Sequence, residues 1–412
     1  MDFRRPLPET RWQSCLSPDL RSRREKIKPS VANYPLDLTL IVIFALVQWR
    51  ITRLLLAATS RRWIRPALFL FAAALAVSYA FTFSVVLARL RIPTRIGSIL
   101  GAGSLTYFLT VTAVLGIHGV LAWVRKLLHA DVNPGRRRVL NAAGGALMAA
   151  PFAAVGYGAL IGRTDFRVRE VDIPLTGLPP DLDGLRILQL SDIHLSAFLS
   201  EAEFARVIDA ALHLHPHLAV VTGDLISGRS DPLDACIRQL ARVKADAGIF
   251  GCMGNHERYA QVEDYAARQS ARLGIRFLRG EAQTLRFGNS TLNLAGLDFE
   301  SQRERRRYLR GAERLIVPGA TNILLQHNPD VFPVAARQGY NLLLAGHTHG
   351  GQVTVEILDR SINPARFFTP YVYGLYRQGS AAAYVTRGIG TIGIPARIGA
   401  TPEISLLRLR KA

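Results

Sequence analysis

The chain reads as an N-terminal α-helical transmembrane region of three to four spans followed by a C-terminal α/β layered domain. Three observations predict this. Long stretches free of charged residues fill the first 165 positions. Short apolar runs then alternate with helical patterns, and polar motifs follow most of those runs directly. The expected boundaries are a basic disordered tail at 1–35, a membrane region at 36–162, a linker with the first strand at 163–184, and the layered domain at 185–412.

Residues 1–35 mix Pro, Ser and charge, a composition that buries too little apolar surface to order a chain. Leu38–Trp49 then runs 12 residues before Arg50 and Arg53. It either spans with those arginines snorkelling or lies in the membrane interface. Ala67–Ala88, Ile99–Val124 and Val139–Gly162 hold no Asp, Glu, Lys or Arg over 22, 26 and 24 residues. About 20 apolar residues cover the hydrocarbon core as a helix, so each qualifies as a span. Gly144 and Gly145 suit close helix packing. Arg163–Arg169 is a short link that tethers the following domain near the bilayer.

Charge follows the same division. Of the net +20, residues 1–165 supply +15, from 22 Lys and Arg against 7 Asp and Glu. The basic excess therefore belongs to the apolar half, where it flanks membrane segments rather than lining a nucleic-acid groove. Arg61, Arg62 and Arg65 precede the first clear span, and Arg125, Lys126 and Arg136–Arg138 lie between the second and third. Placing both groups in the cytoplasm leaves the C-terminal domain outside the inner membrane of a bacterial cell. Arg136–Arg138 before a small-residue-rich helix also resembles a twin-arginine export signal. Arg89, Arg91 and Arg95 count against this orientation.

In the second half, Leu185–Leu190, Leu218–Thr222, Ile249–Met253, Asn322–Gln326 and Leu342–Ala345 read as buried strands. Glu201–Leu214, Leu233–Ala245 and Tyr259–Leu273 read as helices, and Thr284–Phe287 with Thr291–Ala295 as a hairpin. Five motifs follow the strands or nearly so: Asp192-Ile-His194, Gly223-Asp224, Gly254-Asn255-His256-Glu257, His327-Asn328-Pro329 and Gly346-His347-Thr348-His349-Gly350-Gly351. Strand ends are where layered α/β proteins place chemistry. Carboxylates, imidazoles and an amide there suit hard or borderline divalent metals. If strand alternation continues, Asp192 and His194 share one face. Gly223, Gly254 and Gly346 permit tight turns beside a metal. His213, His215 and His217 lie outside the motifs and are read as non-ligands. Cys15, Cys236 and Cys252 have neither disulfide nor zinc spacing.

Taken together, the five motifs are similar to those of the calcineurin-like metallophosphoesterases, across Leu185 to Arg410. Val171-Asp172-Ile173-Pro174 and the ending Thr401-Pro402-Glu403-Ile404 resemble the YkuE/YaeI-like branch, some members of which carry N-terminal membrane helices. The resemblance implies a two-sheet β-sandwich flanked by helices and a pair of divalent ions, Mn, Fe or Zn. It implies that Asp192, His194 and His349 hold one ion, that Asn255, His327 and His347 hold the other, and that Asp224 bridges them. His256 matches the family's catalytic histidine, and Glu257 is either a supporting residue or simply exposed. A metal-activated hydroxide would attack the phosphorus. Asn328, Gln352 and Arg387 are expected to line the substrate pocket.

The membrane half shifts the expected substrate toward a phosphorylated molecule in the same bilayer. A lipid-linked phosphodiester or pyrophosphate is the leading expectation, and nucleic acid is not expected as a partner. Two alternatives stand: a broad-specificity phosphodiesterase or phosphatase merely anchored by its helices, and a non-enzymatic membrane scaffold. A transporter role lacks intramembrane charge, and polar Thr106, Thr110, Thr112 and His118 are too few to argue it.

Overall fold

The computed structural model describes residues 34–58, 65–67, 69–71, 73–74, 94–127, 134–357 and 360–412. The expected tail lies outside these residues but for its last two, as does most of the expected span at Ala67–Ala88. The chain separates into two compact units, residues 1–46 and 47–412. Of the first, positions 34–46 are described and are helical.

Among the described residues of the second unit, two helices are long and apolar enough to cross a membrane, against the three to four spans expected from sequence. They lie within Ile96–Val124 and Pro134–Thr164. The helices themselves run Thr94–Leu127 and Pro134–Leu160 and pack on each other. Their apolar side chains mostly face outward: Trp123 is 61% exposed and Leu160 80%. Ser104, Thr106, Thr110 and Thr112 each return a hydroxyl hydrogen bond to the carbonyl four residues back. Their polarity is thus consumed within the helix, as hydrocarbon requires. Gly144 is buried, whereas Gly145 faces open space and has no packing role among the described residues.

The catalytic half is built on two mixed six-stranded sheets. The first orders β1 (Arg167–Leu175), β14 (Glu403–Lys411), β2 (Arg186–Leu190), β3 (Leu218–Thr222), β4 (Ile249–Cys252) and β5 (Ile275–Phe277). The second orders β12 (Gly374–Gln378), β13 (Ala381–Val385), β9 (Leu342–Ala345), β8 (Thr321–Leu325), β7 (Ser290–Gly296) and β6 (Glu281–Phe287). Alternation assigns the side chains. Ile187, Val220, Ile323 and Leu344 enter the layer between the sheets, while Leu188 and Val221 turn to the helices on the outer face. Leu324 and Leu343 do the same on the far side, against the Phe332–Gln338 helix. Burying both faces explains why these strands are continuously apolar.

One helix differs from expectation. Tyr259–Leu273 is divided into Asn255–Ala260 and Glu263–Arg272, because Gln261 takes a left-handed conformation and ends the first turn. The early termination keeps Asn255 and His256 on a short, separately oriented helix.

The Pro134–Leu160 helix joins the catalytic half directly. Gly158 O accepts from Arg397 N at 3.1 Å, and a Cβ on Gly158 or Gly162 would collide with the Ala396–Ile398 main chain or side chains. Arg163 adds an ion pair to Glu203 at 3.3 Å.

Candidate metal centre

The parallel strands β2, β3, β4, β8 and β9 all release their chains at one edge, and the five motifs begin there. The strands end before the ligands do. Asp192, His194, Asp224, His347 and His349 have φ values of 49°, 49°, 56°, 76° and 53°. Left-handed backbone at non-glycine positions is costly and gathers where function demands a special geometry. Asp192 and His194 therefore converge through a left-handed turn, not through the strand alternation expected from sequence.

Seven side chains meet in two clusters that share Asp224. Asp192, His194, Asp224 and His349 form one, with ligand atoms within 4.8 Å of one another, and Asp224, His327 and His347 form the other. Asn255 joins the second through its Oδ1, which lies 2.8 Å from His347 Nδ1. His194 Nε2 and His349 Nε2 are 3.1 Å apart. Asp224 Oδ2 stands 3.4 Å from His194 Nε2 and 3.1 Å from His327 Nε2, and Asp192 Oδ1 stands 3.3 Å from His349 Nε2.

The outer ring nitrogens are spoken for. His327 Nδ1 faces Thr222 O at 2.6 Å, His349 Nδ1 faces Gly390 O at 3.3 Å, and His194 Nδ1 faces Ser227 Oγ at 3.1 Å. At His327 the carbonyl partner fixes Nδ1 as the N–H, so a neutral ring presents its Nε2 lone pair inward. His327 Nε2 and Asp192 Oδ2 are buried and have no hydrogen-bond partner. Buried acceptors left without a hydrogen-bond partner among these clustered donor atoms fit a divalent cation.

Electrostatics agree. Burial, with His327 next, pushes His347 down to about 3, and burial with His194 and Arg397 lowers His349, so both stay neutral as ligation needs. Burial raises Asp192 despite the imidazoles around it. Burial opposes charge on Asp224 too, but His327 and His194 outweigh it and hold the carboxyl well below its usual range. His327 is the converse: burial disfavours its cation, Asp224 overcomes this, and the ring is pushed up to about 10. A cation between the two would displace that proton.

Glu257 is fully buried, which decides between the two sequence readings. Its carboxylate accepts from the N–H groups of Asp224 (2.9 Å), Leu225 (2.7 Å) and Gly254 (2.8 Å). It locks the turn that carries the shared ligand. Gly346 is required by close approach: a Cβ there would collide with Ser191 Oγ and Asp192 Oδ2.

His256 sits beside the clusters, half-buried, its ring edge-on to His194 with centroids 4.7 Å apart. Nδ1 bonds Ser227 O at 2.7 Å, and burial lowers its pKa. Phe299 walls the second cluster, its ring centroid 5.3 Å from that of His347.

The three residues expected to touch substrate divide. Asn328 has its amide engaged with Asp330 N, Glu300 O and Tyr308 Oη, which shapes the turn after His327. Gln352 pairs both ends of its amide with the Ile392 main chain at 2.7 Å and pins that loop. Arg387 keeps an opening. It stacks on Tyr373 with its guanidinium carbon 4.2 Å from the ring centroid, and its buried Nε has no partner. Of the three distant histidines, His217 accepts from Arg186 N at the opposite end of the sheet.

Arg397 carried no sequence signal. It is fully buried, and its guanidinium donates to the carbonyls of Gly390, His349, Arg387 and Ala400.

Residues 185–351 match the family described as calcineurin-like phosphoesterase. A Danio rerio "Transmembrane protein with metallophosphoesterase domain" is 33% identical over 269 residues, covering 62% of this chain and 60% of that protein. The "Uncharacterized metallophosphoesterase YkuE" of Bacillus subtilis is 30% identical over 284 residues, covering 67% of this chain and 97% of the relative. "Phosphodiesterase YaeI" of Escherichia coli is 28% identical, covering 54% and 82%. Nearly the whole of the Bacillus subtilis relative is thus matched, and the chain belongs to the calcineurin-like metallophosphoesterases, a family of phosphoesterase hydrolases.

Proposed function

We propose that the chain is a membrane-anchored, metal-dependent phosphohydrolase that cleaves a lipid-linked phosphodiester or pyrophosphate. The observation that carries this is the paired set of inward-facing ligands sharing Asp224, joined through Arg397 to the end of an apolar helix. Asp192, His194, His349 and Asp224 would hold one divalent ion, and Asn255, His327, His347 and Asp224 a second. Together such ions supply a nucleophile at neutral pH and offset charge on the phosphoryl oxygens.

The chain's own residues do the rest. Glu257 fixes the main chain of Asp224, and Thr222, Ser227 and Gly390 orient the imidazoles. With Nδ1–H committed to Ser227 O, His256 faces the departing oxygen through Nε2, which stabilises or protonates it when the ring carries its second proton. Arg387, aligned by Tyr373, pairs with a non-bridging phosphoryl oxygen. The relatives named as transmembrane proteins support anchoring; on our reading the 36–162 region crosses a bacterial inner membrane three to four times. The charge distribution favours a catalytic domain on the outer face.

Hydrolysis of bis-p-nitrophenyl phosphate and of a lipid pyrophosphate by the full chain in detergent tests the reading. Manganese, iron, zinc and a chelator would be compared. Metal-dependent cleavage of the lipid pyrophosphate supports it. Cleavage of the soluble diester alone supports a broad phosphodiesterase that is merely anchored. No cleavage with any metal, in protein that binds metal, supports a scaffold.

A further inference from the structure

Outside the apolar helices, the most exposed large apolar side chains among the described residues are adjacent: Phe367 at 90% and Phe368 at 76%. They sit on the Pro364–Phe367 turn and the residue after it. This segment is braced. The Asn363 side chain accepts from Ala365 N at 2.9 Å and donates to Gly350 O and Thr354 Oγ1, each at 2.8 Å. At the other end Thr369 Oγ1 bonds Asp330 and accepts from Tyr371 N at 3.0 Å. Two phenylalanines held into solvent on a pinned turn form an exposed apolar feature that asks for a partner.

Beside them lies the most basic short run of the catalytic half. Gln302 Nε2 donates to Phe368 O at 3.2 Å, which fixes the Gln302–Arg307 turn against the aromatic pair. Arg303, Arg305, Arg306 and Arg307 are exposed there, and none forms an ion pair among the described residues. Glu304 is already taken by Arg258 at 3.1 Å. Aromatic side chains flanked by arginines are the composition of an anionic membrane interface.

The position agrees. Gly158 near the end of the Pro134–Leu160 helix bonds Arg397 N; Ile398 O, one residue on, accepts from Thr354 N at 2.7 Å; Thr354 Oγ1 accepts from Asn363. An unbroken series of contacts therefore runs from the apolar helix to the aromatic turn, passing Gly350 beside the ligand His349.

We propose that Phe367 and Phe368 enter the interface of an anionic bilayer while Arg303 and Arg305–Arg307 meet its phosphates, so that the rim of the metal centre is pressed against the headgroup layer. This rests on the reading of the chain as membrane-anchored. A substrate whose phosphate lies at the headgroups would then reach the site without leaving the bilayer.

The test uses the full chain, with Cys15→Ser, in phosphatidylcholine vesicles containing about a quarter phosphatidylglycerol. A nitroxide is placed singly through Phe367→Cys, Leu273→Cys or Val120→Cys, and its collisions with oxygen and with a water-soluble nickel chelate are measured. The expected result is an oxygen-to-nickel ratio several-fold higher at 367 than at 273, falling to the 273 value when Arg303, Arg305, Arg306 and Arg307 are all changed to Glu. A water-like label at 367 beside a lipid-like label at 120 overturns the proposal and leaves anchoring intact. A label at 367 shielded from both reagents overturns it in favour of a protein partner. A water-like label at 120 removes the anchoring reading, and the proposal with it.

Discussion

The helical and catalytic halves contain similarly apolar segments and treat them oppositely. In β3, β8 and β13 every residue is buried, and the apolar surface is satisfied within the chain. In the Thr94–Leu127 and Pro134–Leu160 helices, Val120, Trp123, Leu147 and Phe152 are all at least half exposed. The difference lies in run length and punctuation. A run of four or five residues followed by glycine or a polar motif has room for a strand. One of more than twenty closes its hydrogen bonds as a helix and leaves its side chains to the medium. Hydrophobicity alone therefore does not specify a core; the spacing of its interruptions does.

Perturbations should separate the halves in the same way. The largest effect is expected from Asp224→Ala, which removes the ligand common to both clusters. Activity should fall by at least about 100-fold and bound metal measured by mass spectrometry should drop with it. Retention of two ions per chain would defeat the shared-ligand geometry. On the proposed mechanism, in which the ring meets the leaving group and not the ions, His256→Ala should cost roughly 100-fold in kcat yet leave metal content unchanged. Gly346→Ala should destabilise the catalytic half by about 1–3 kcal/mol through overpacking against Ser191 and Asp192, read as a lower melting midpoint. Leu147→Ser, on the outward face of its helix, should shift that same midpoint by less than about 0.5 kcal/mol. An equal shift from both would dissolve the contrast between the halves.

A small, pH-dependent effect concerns Glu304. Its bond to Arg258, followed by the Ser301 N–H, lowers the carboxyl to about 2 in the folded chain from 4.5. A depressed carboxyl stabilises above its unfolded pKa and loses that contribution as pH falls toward the folded one. Glu304→Gln should therefore destabilise by less than about 1 kcal/mol near neutrality, since the pair is partly exposed, and by progressively less as pH falls below about 4.5.

Much of the site was legible because its chemistry is local. Leu218–Thr222 and Leu342–Ala345 were bounded by the glycines that follow them, and their motifs lay just beyond. What was hidden depends on distant pairing or on backbone strain. Nothing near Arg167–Leu175 reveals that it pairs in parallel with Glu403–Lys411. The left-handed turns at Asp192 and His194 are imposed by tertiary contacts such as His194 N to Asp224 O. Gln261 gives no sign that it will break a helical pattern, since glutamine is a good helix former. The main-chain bonds of the Asn328 and Gln352 amides were hidden too, because an amide beside a ligand motif looks the same whatever it faces.

Arg397 has a consequence for how the two halves stay joined. Its guanidinium is held by carbonyls, with no carboxylate partner among the described residues, and burial lowers its pKa only to about 10. It therefore keeps its charge throughout the physiological range, and solvent ions have no access to it. Salt that loosens the partly exposed Arg163–Glu203 pair would leave this fastening untouched. The joint between helix and metal site is in that sense a dry one, indifferent to the ionic strength on either side of a membrane.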